Sequence, residues 1–233
     1  MSERDDLARR VQDLEIENRR LKTALSDLER SYDVTLQALG DALDPKERSS
    51  GGHSRRVCAF SMGIARAMEL SMDRVAIIAR GAFLHDIGKI SIPDKILLKP
   101  GGLTPDETAI MRQHCHLGYQ MVKKIPFLFP EAAEIVYAHH ERYDGTGYPR
   151  GLKENEIPLG ARIVAIANTL DSITSDLLYR PAKSFSAARK EIQAWSGRQF
   201  DPEIAAVFQQ MPDEIFEELR RAINAQVEPQ RGS

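Results

Sequence analysis

Cysteine is nearly absent from this chain of 233 residues: there are two, Cys58 and Cys115, far apart in sequence. Two such residues make no disulfide framework, and a reducing compartment suits them. Long apolar runs are missing as well. No stretch reaches the roughly 18 residues that span a bilayer, and the opening "MSERDDLARR" lacks the pattern of a secretory leader. The expectation is a cytoplasmic protein without a membrane segment. Charge of one sign is not in excess: 32 Lys and Arg stand against 34 Asp and Glu, a formal net charge of -2. That balance gives no bulk attraction for a nucleic-acid polymer, so any phosphate-bearing ligand has to be small and held locally. No convincing strand pattern and no internal repeat is present. The class expected is all-α.

Residues 5–39 lack both Pro and Gly. Their apolar positions alternate by four and three. Leu7, Leu14, Leu21 and Leu28 take heptad position d, while Val11, Asn18, Leu25 and Tyr32 take a. Leu at d with a single Asn at a favours a parallel two-stranded coiled coil. The flanks agree, with Arg10 facing Glu15 of a partner and Glu17 facing Lys22. Residues 1–40 are thus expected to form a homodimerisation helix, about 50 Å long. The competing reading is one amphipathic helix lying on the core. Residues 40–52, "GDALDPKERSSGG", break the pattern as a loop or hinge.

From His53 onward helix follows helix. "HSRRVCAFSMGIARAMEL" and "SMDRVAIIARGAFLHDIGK" carry helical periodicity, and "IPDKILLKPGG" reads as a connector. Thr104, Pro105 and Glu107 supply an N-cap, a first-turn proline and a capping-box acid. Another helix starts near Pro130 and runs to "HHER". Pro158 opens a long one, and 184–222 holds two amphipathic helices split by "SGRQFDP".

The chain has six histidines. His85 is followed by Asp86 inside an apolar helical stretch. His114 lies on the capped helix, His53 begins its own, and His139 and His140 are adjacent. Neighbouring side chains on a helix point about 100° apart, so either one ring of the pair packs while the other meets water, or each meets its own partner. Singly, each of these residues suits a structural role. Jointly, with Asp86, they suit convergence on two transition-metal ions sharing one carboxylate. His116 is left over, facing solvent.

"HSRRV" (53–57), "LHDIGK" (84–89) and "HHERYDGTGYP" (139–149) resemble the HD-GYP family, a branch of the HD superfamily of metal-dependent phosphohydrolases. The likeness runs from about residue 41 to 210. It takes in "IPDKILLKPGGLT", the H-x-x-x-G of His114 to Gly118, "GLKENEIPLGARI" and "QFDPEI". The resemblance implies a helical bundle over 41–233 built around a two-metal, sometimes three-metal, centre of iron or manganese; with "SSGG" before His53 two ions are expected here. It implies hydrolysis of cyclic di-GMP to pGpG or GMP. By position, His53, His85, Asp86, His114, His139 and His140 would be metal ligands, with Asp86 bridging and each ring of the His pair reaching the site from its own angle. Lys89 would join Asp86 in catalysis by meeting the scissile phosphate. Asp144, Gly147, Tyr148, Pro149, Asp171 and Arg180 would line the substrate.

Two positions depart from the family pattern. Asn168 stands where the family has a metal-binding Asp, and Leu177 where it has a phosphate-contacting Arg. Asn still offers a carbonyl oxygen, but Leu offers a phosphate nothing. Asp171, one turn on from Asn168, is expected to assist it at the metal. A second reading is therefore a degenerate member that binds metal, nucleotide or a protein partner without turnover.

Overall fold

The computed structural model describes residues 3–43, 52–125, 128, 130–176 and 181–227. The chain divides into two compact units, Met1–Leu39 and Gly40–Ser233. Helix α1 (Glu3–Leu43) makes up the first and runs past the expected break at Gly40. Along it Val11, Leu14, Leu21, Leu25 and Leu28 are all exposed, Leu14 by 65%.

Among its described residues the second unit's regular elements are all helices, with one isolated bridge between Ser196 and Phe200. Helix α2 (His53–Ala67) packs on α3 (Met72–Leu84) and α7 (Leu159–Thr174), and these enclose the core with α8 (Phe185–Ala194), α9 (Pro202–Gln210) and α10 (Asp213–Val227). Phe60, Ile64, Ile163, Ile166, Leu170, Phe208 and Phe216 are fully buried there. Phe60 meets Phe216 edge to face, with centroids 5.5 Å apart. That pairing suits the ring quadrupoles and adds to the burial itself. Helix α4 (Asp94–Leu97) is one turn within the expected connector, and α5 (Pro105–Val122) and α6 (Pro130–Ala138) complete the set. At the start of α5, Thr104 Oγ1 accepts from Glu107 N at 3.3 Å, and Glu107 Oε2 accepts from Thr104 N at 2.8 Å, as the capping box requires.

The structure corrects three helix ends. The tail from 184 holds three helices, not two, because Pro212 stands between α9 and α10 and removes a backbone donor. Helix α6 stops at Ala138, leaving His139 and His140 in the turn beyond it. Helix α3 stops at Leu84, so His85 and Asp86 lie past its end and lead into a 3₁₀ turn, Ile87–Ser91. Gly88 explains that last break. A Cβ there would sit 1.9 Å from His114 O, so only glycine lets this turn lie against α5. Among the described residues no helix is long and apolar enough to cross a membrane.

Candidate metal centre

The ends of α3 and α6 explain where two of the histidines point. A helix leaves its last carbonyls without intrahelical partners. His85 Nδ1 donates to Ala82 O at 2.7 Å, and His139 Nδ1 donates to Val136 O at 2.8 Å, each three residues back. His114, within α5, makes the same bond to Met111 O at 2.7 Å. A carbonyl oxygen only accepts, so each of these Nδ1 atoms carries the ring proton and each Nε2 keeps a bare lone pair.

Those lone pairs converge. His114 Nε2 and His139 Nε2 lie 3.2 Å apart. Asp86, 3% exposed, sits between the rings. Its Oδ1 is 3.3 Å from His114 Nε2 and 3.6 Å from His139 Nε2. Its Oδ2 is 3.1 Å from His85 Nε2, 3.9 Å from His53 Nε2 and 2.7 Å from Lys89 Nζ. Lys89 Nζ donates to Oδ2, but the histidine contacts are not hydrogen bonds: His85 Nε2 and Asp86 Oδ1 are buried without a hydrogen-bond partner. Acceptors facing acceptors in a closed space is a costly arrangement unless a cation stands among them. Imidazole and carboxylate donors fit divalent first-row metals, so the residues present fit such ions. Two sets have ligand atoms within 4.8 Å of one another: His114, Cys115, His139 and His140, and His53, His85 and Asp86. Asp86 turns one oxygen toward each set.

His53 is oriented differently. Its Nδ1 lies 2.8 Å from Asp171 Oδ2, and Asp171 in turn accepts from Arg56 Nε at 2.6 Å and Nη2 at 3.1 Å, and from Ser175 Oγ at 3.2 Å. The bidentate Arg pair fixes the carboxylate, and the carboxylate fixes the ring. Asp171 is 1% exposed and its carboxylate is taken up by Arg56, Ser175 and His53, so its expected place at the substrate, or beside Asn168 at the metal, is corrected: it stands behind His53.

Electrostatics follows burial. Burial raises the Asp86 carboxyl, but His85, Lys89 and the close approach of His114 and His139 outweigh it and hold it well below the usual range. Burial lowers His139 to about 4 despite Asp86 beside it. His140 is also held well below its ordinary value, by burial and by His139 and His114. Both rings are therefore neutral near pH 7, as ligation needs. Burial acts upward on Asp171, and His53 and Arg56 overcome it to give about 2. Burial, with Asp86 and Glu141 near, pushes the Cys115 thiol up.

A cavity of about 480 Å³ opens beside this cluster, within the range of small-ligand sites. His139, His140, Arg112, Gly147, Tyr148 and Asn168 are among its walls. Tyr148 stacks on His140 at 4.8 Å between centroids. The loop carrying it is tied down by Glu141, whose carboxylate accepts from Arg150 N at 2.7 Å and Leu152 N at 3.1 Å. Gly147 passes so close that a Cβ would lie 2.3 Å from Arg142 N. Asp144 turns into the loop and accepts from Thr146 N at 3.0 Å and Thr146 Oγ1 at 2.6 Å, so it shapes the turn and is not among the cavity's walls. Pro149 faces a neighbouring groove. Leu177 and Arg180 lie outside the described residues.

A family model described as HD domain matches residues 37–204. The chain belongs to the HD domain family. Its HD domain is 43% identical over 188 residues to a cyclic di-GMP phosphodiesterase of Thermotoga maritima, covering 80% of this chain and 51% of that protein. It is 40% identical over 184 residues to the cyclic di-GMP phosphodiesterase response regulator RpfG of Xanthomonas campestris pv. campestris, covering 78% and 49%. The chain thus spans about half the length of these curated relatives. Its fold matches a crystal structure of a cyclic GMP-AMP specific phosphodiesterase of V. cholerae, with a TM-score of 0.62 at 22% identity, over 80% of this chain and 52% of that one.

The structure brings His53, His85, Asp86, His114, His139, His140 and Lys89 together, and places Asn168, Gly147 and Tyr148 on the cavity wall. Sequence reasoning missed Cys115, whose Sγ is 3.6 Å from His114 Nε2, and Arg56. A cysteine next to a candidate ligand was the available signal for the first. For Arg56, nothing in the sequence pairs it with a carboxylate on α7.

Proposed function

We propose that this chain is a metal-dependent phosphodiesterase of the HD-GYP type that hydrolyses cyclic di-GMP to pGpG or GMP. The observation that carries the reading is Asp86, with one carboxylate oxygen facing each set of histidines. Two divalent ions, iron or manganese, would be held by His53, His85, Asp86, His114, His139 and His140. The names of the two curated relatives support the substrate. When bound, such a pair of cations shields an anionic phosphodiester and lowers the pKa of a water.

The chain's own residues do the rest. The bonds from Nδ1 to main chain or to Asp171 orient His53, His85, His114 and His139 so that Nε2 is the atom aimed inward. Lys89, half-buried beside Asp86, is placed to hold negative charge that develops on the phosphoryl oxygens. Tyr148 and its loop wall the cavity on the side of His140 and limit how the dinucleotide lies. Asn168, a neutral group on the same wall, supplies a carbonyl oxygen but no charge. The exposed apolar stripe of α1 supports homodimerisation through a parallel coiled coil.

Turnover is tested by incubating cyclic di-GMP with the chain loaded anaerobically with Fe(II) or Mn(II). Linear pGpG or GMP is the expected product. A chain that holds two ions and forms neither product is not this enzyme. Light scattering on the full chain, and on one starting near residue 40, tests the dimer. The full chain is expected as a dimer and the shortened one as a monomer.

A further inference from the structure

A cyclic dinucleotide carries two phosphodiester groups, both anionic near neutral pH. Only one of them is cut at a time, and it sits at the metal ions. The other enters the same cavity with its charge and needs a cation of its own. Among the described residues, two arginines line the cavity, Arg112 and Arg142. Arg142 is engaged: Nη1 donates to Gln199 Oε1 at 2.9 Å, Nε donates to Thr146 Oγ1 at 3.0 Å, and its face lies over Trp195. Arg112 is not. Among the described residues no carboxylate pairs with it, and its guanidinium stacks on a ring, with Cζ 4.8 Å from the centre of Tyr148. Stacking uses the face of a guanidinium and leaves its in-plane N–H groups for an oxyanion, a geometry that suits bidentate binding of phosphate.

The placement agrees. Tyr148 carries Arg112 against its ring and stacks on His140, so the charge stands one ring outward from the candidate metal cluster. Glu141, an acid on the cavity wall, is engaged by two backbone N–H groups of the loop. Arg112 and Tyr148 also line a second hollow of about 790 Å³, with His116, Tyr137 and Pro149 on its walls. The guanidinium thus stands where two hollows meet, which suits a ligand with a phosphate at the divide and a flat base on either side.

We propose that Arg112 binds the phosphate of the cyclic dinucleotide that is not being cleaved. The inference rests on the substrate reading above and names the residue that selects a two-phosphate ligand over a one-phosphate ligand. The test uses the full chain loaded with Mn(II) and the variants Arg112→Met and Arg112→Lys. Calorimetry gives the affinity for cyclic di-GMP, and steady-state kinetics gives KM for cyclic di-GMP and for bis(4-nitrophenyl) phosphate, which has a single phosphate. Arg112→Met is expected to weaken cyclic di-GMP about tenfold more than the single-phosphate ester, as the loss of a charge-assisted contact implies. Metal content should stay at the wild-type level. Arg112→Lys should recover part of the loss, because it keeps the charge without the planar fork. The affinity of the unaltered chain should also fall more steeply with salt than that of Arg112→Met. Equal losses for both esters, no loss for the dinucleotide, or a Lys variant no better than Met would overturn the proposal. A chain that binds cyclic di-GMP through Arg112 yet hydrolyses neither ester would leave this assignment standing and defeat the phosphodiesterase reading instead.

Discussion

His85, His114 and His139 are aimed by the main chain of their own helices, whereas His53 is aimed by a carboxylate that reaches it from another helix. The first arrangement is local. It needs only a histidine at the right place, three residues after a carbonyl that can accept, and no side-chain substitution can remove that carbonyl. The second depends on the tertiary packing of α2 against α7 and on a buried Arg56 that keeps Asp171 ionised. An anionic partner also makes a ring a better donor than a neutral carbonyl does. The two wings of the site therefore differ in robustness: one is set by secondary structure, the other by a side-chain network around Asp171 that a point change can open.

Asp86 belongs to both wings and should give the largest effect. Asp86→Ala takes away the oxygen facing each set of histidines and leaves like-charged ions without a shared counter-charge. Elemental analysis is expected to find almost no bound metal. Wild-type content in that variant would show that the ligand set is wrong and that the two wings are not parts of one site.

Asp171→Ala opens only the second wing. It takes the carboxylate away from the buried Arg56 guanidinium, and breaking a pair of this kind costs about 3–5 kcal/mol. Denaturant unfolding of the metal-free protein should show that loss. Metal content should fall by about one ion of the two, because His114 and His139 keep their own orientation. If Asp171→Ala strips metal as completely as Asp86→Ala does, the wings are not independent and the contrast fails.

Acid should also separate them. His139 has its pKa depressed in the folded chain, from an ordinary 6.5 to about 4. Between those values the unfolded chain takes up a proton that the folded chain refuses. The stability of the metal-free protein should thus be intact above pH 6.5 and decline toward pH 4, by at most about 3 kcal/mol from this ring. Asp171 is depressed from 3.8 to about 2, so its contribution is present above pH 3.8 and is lost only as the pH falls toward 2. Urea midpoints of the chelated protein at pH 7, 5 and 4 test the first step. No decline across that interval would mean that His139 is not held neutral by burial.

The same local-against-distant distinction governs what could be read from the sequence. Thr104, Pro105 and Glu107 announce the start of α5 because a capping box is written within four residues. The histidine set is legible because each member is a rare residue placed near a helix end or within a motif. The stops before His85 and His139 were not legible. The first follows from Gly88 meeting α5, a contact between segments distant in sequence. Asp171 was misjudged for the same reason: a residue three positions from Asn168 shares nearly its face on an isolated helix, but packing turns Asp171 to Arg56 and His53 while Asn168 lines the cavity. The apolar stripe of α1 was plain, since a heptad is a local pattern. Its partner is a question of assembly, which a pattern within one chain poses without naming the second strand.

Asn168 gives the smallest effect and the sharpest comparison. It is half-buried on the wall shared with His139 and His140, and its Oδ1 accepts from Ser172 Oγ at 3.4 Å. Asn168→Asp adds one negative charge on the side of the backbone-oriented rings. A half-exposed charge near a cation is worth about 1 kcal/mol once solvent screening is counted, so metal should be retained about fivefold longer against a chelator. Asp171 serves His53 on the other wing. The two changes should therefore be nearly additive, within about 0.5 kcal/mol, although the residues are only one helical turn apart. The measurement is a double-mutant cycle of Asn168→Asp and Asp171→Ala on metal retention. Additivity keeps residue 168 with His139 and His140 and residue 171 with His53. A coupling well above 1 kcal/mol would mean that both carboxylates act on one ion, and that the set holding His53 and the set holding His139 and His140 are not separate sites.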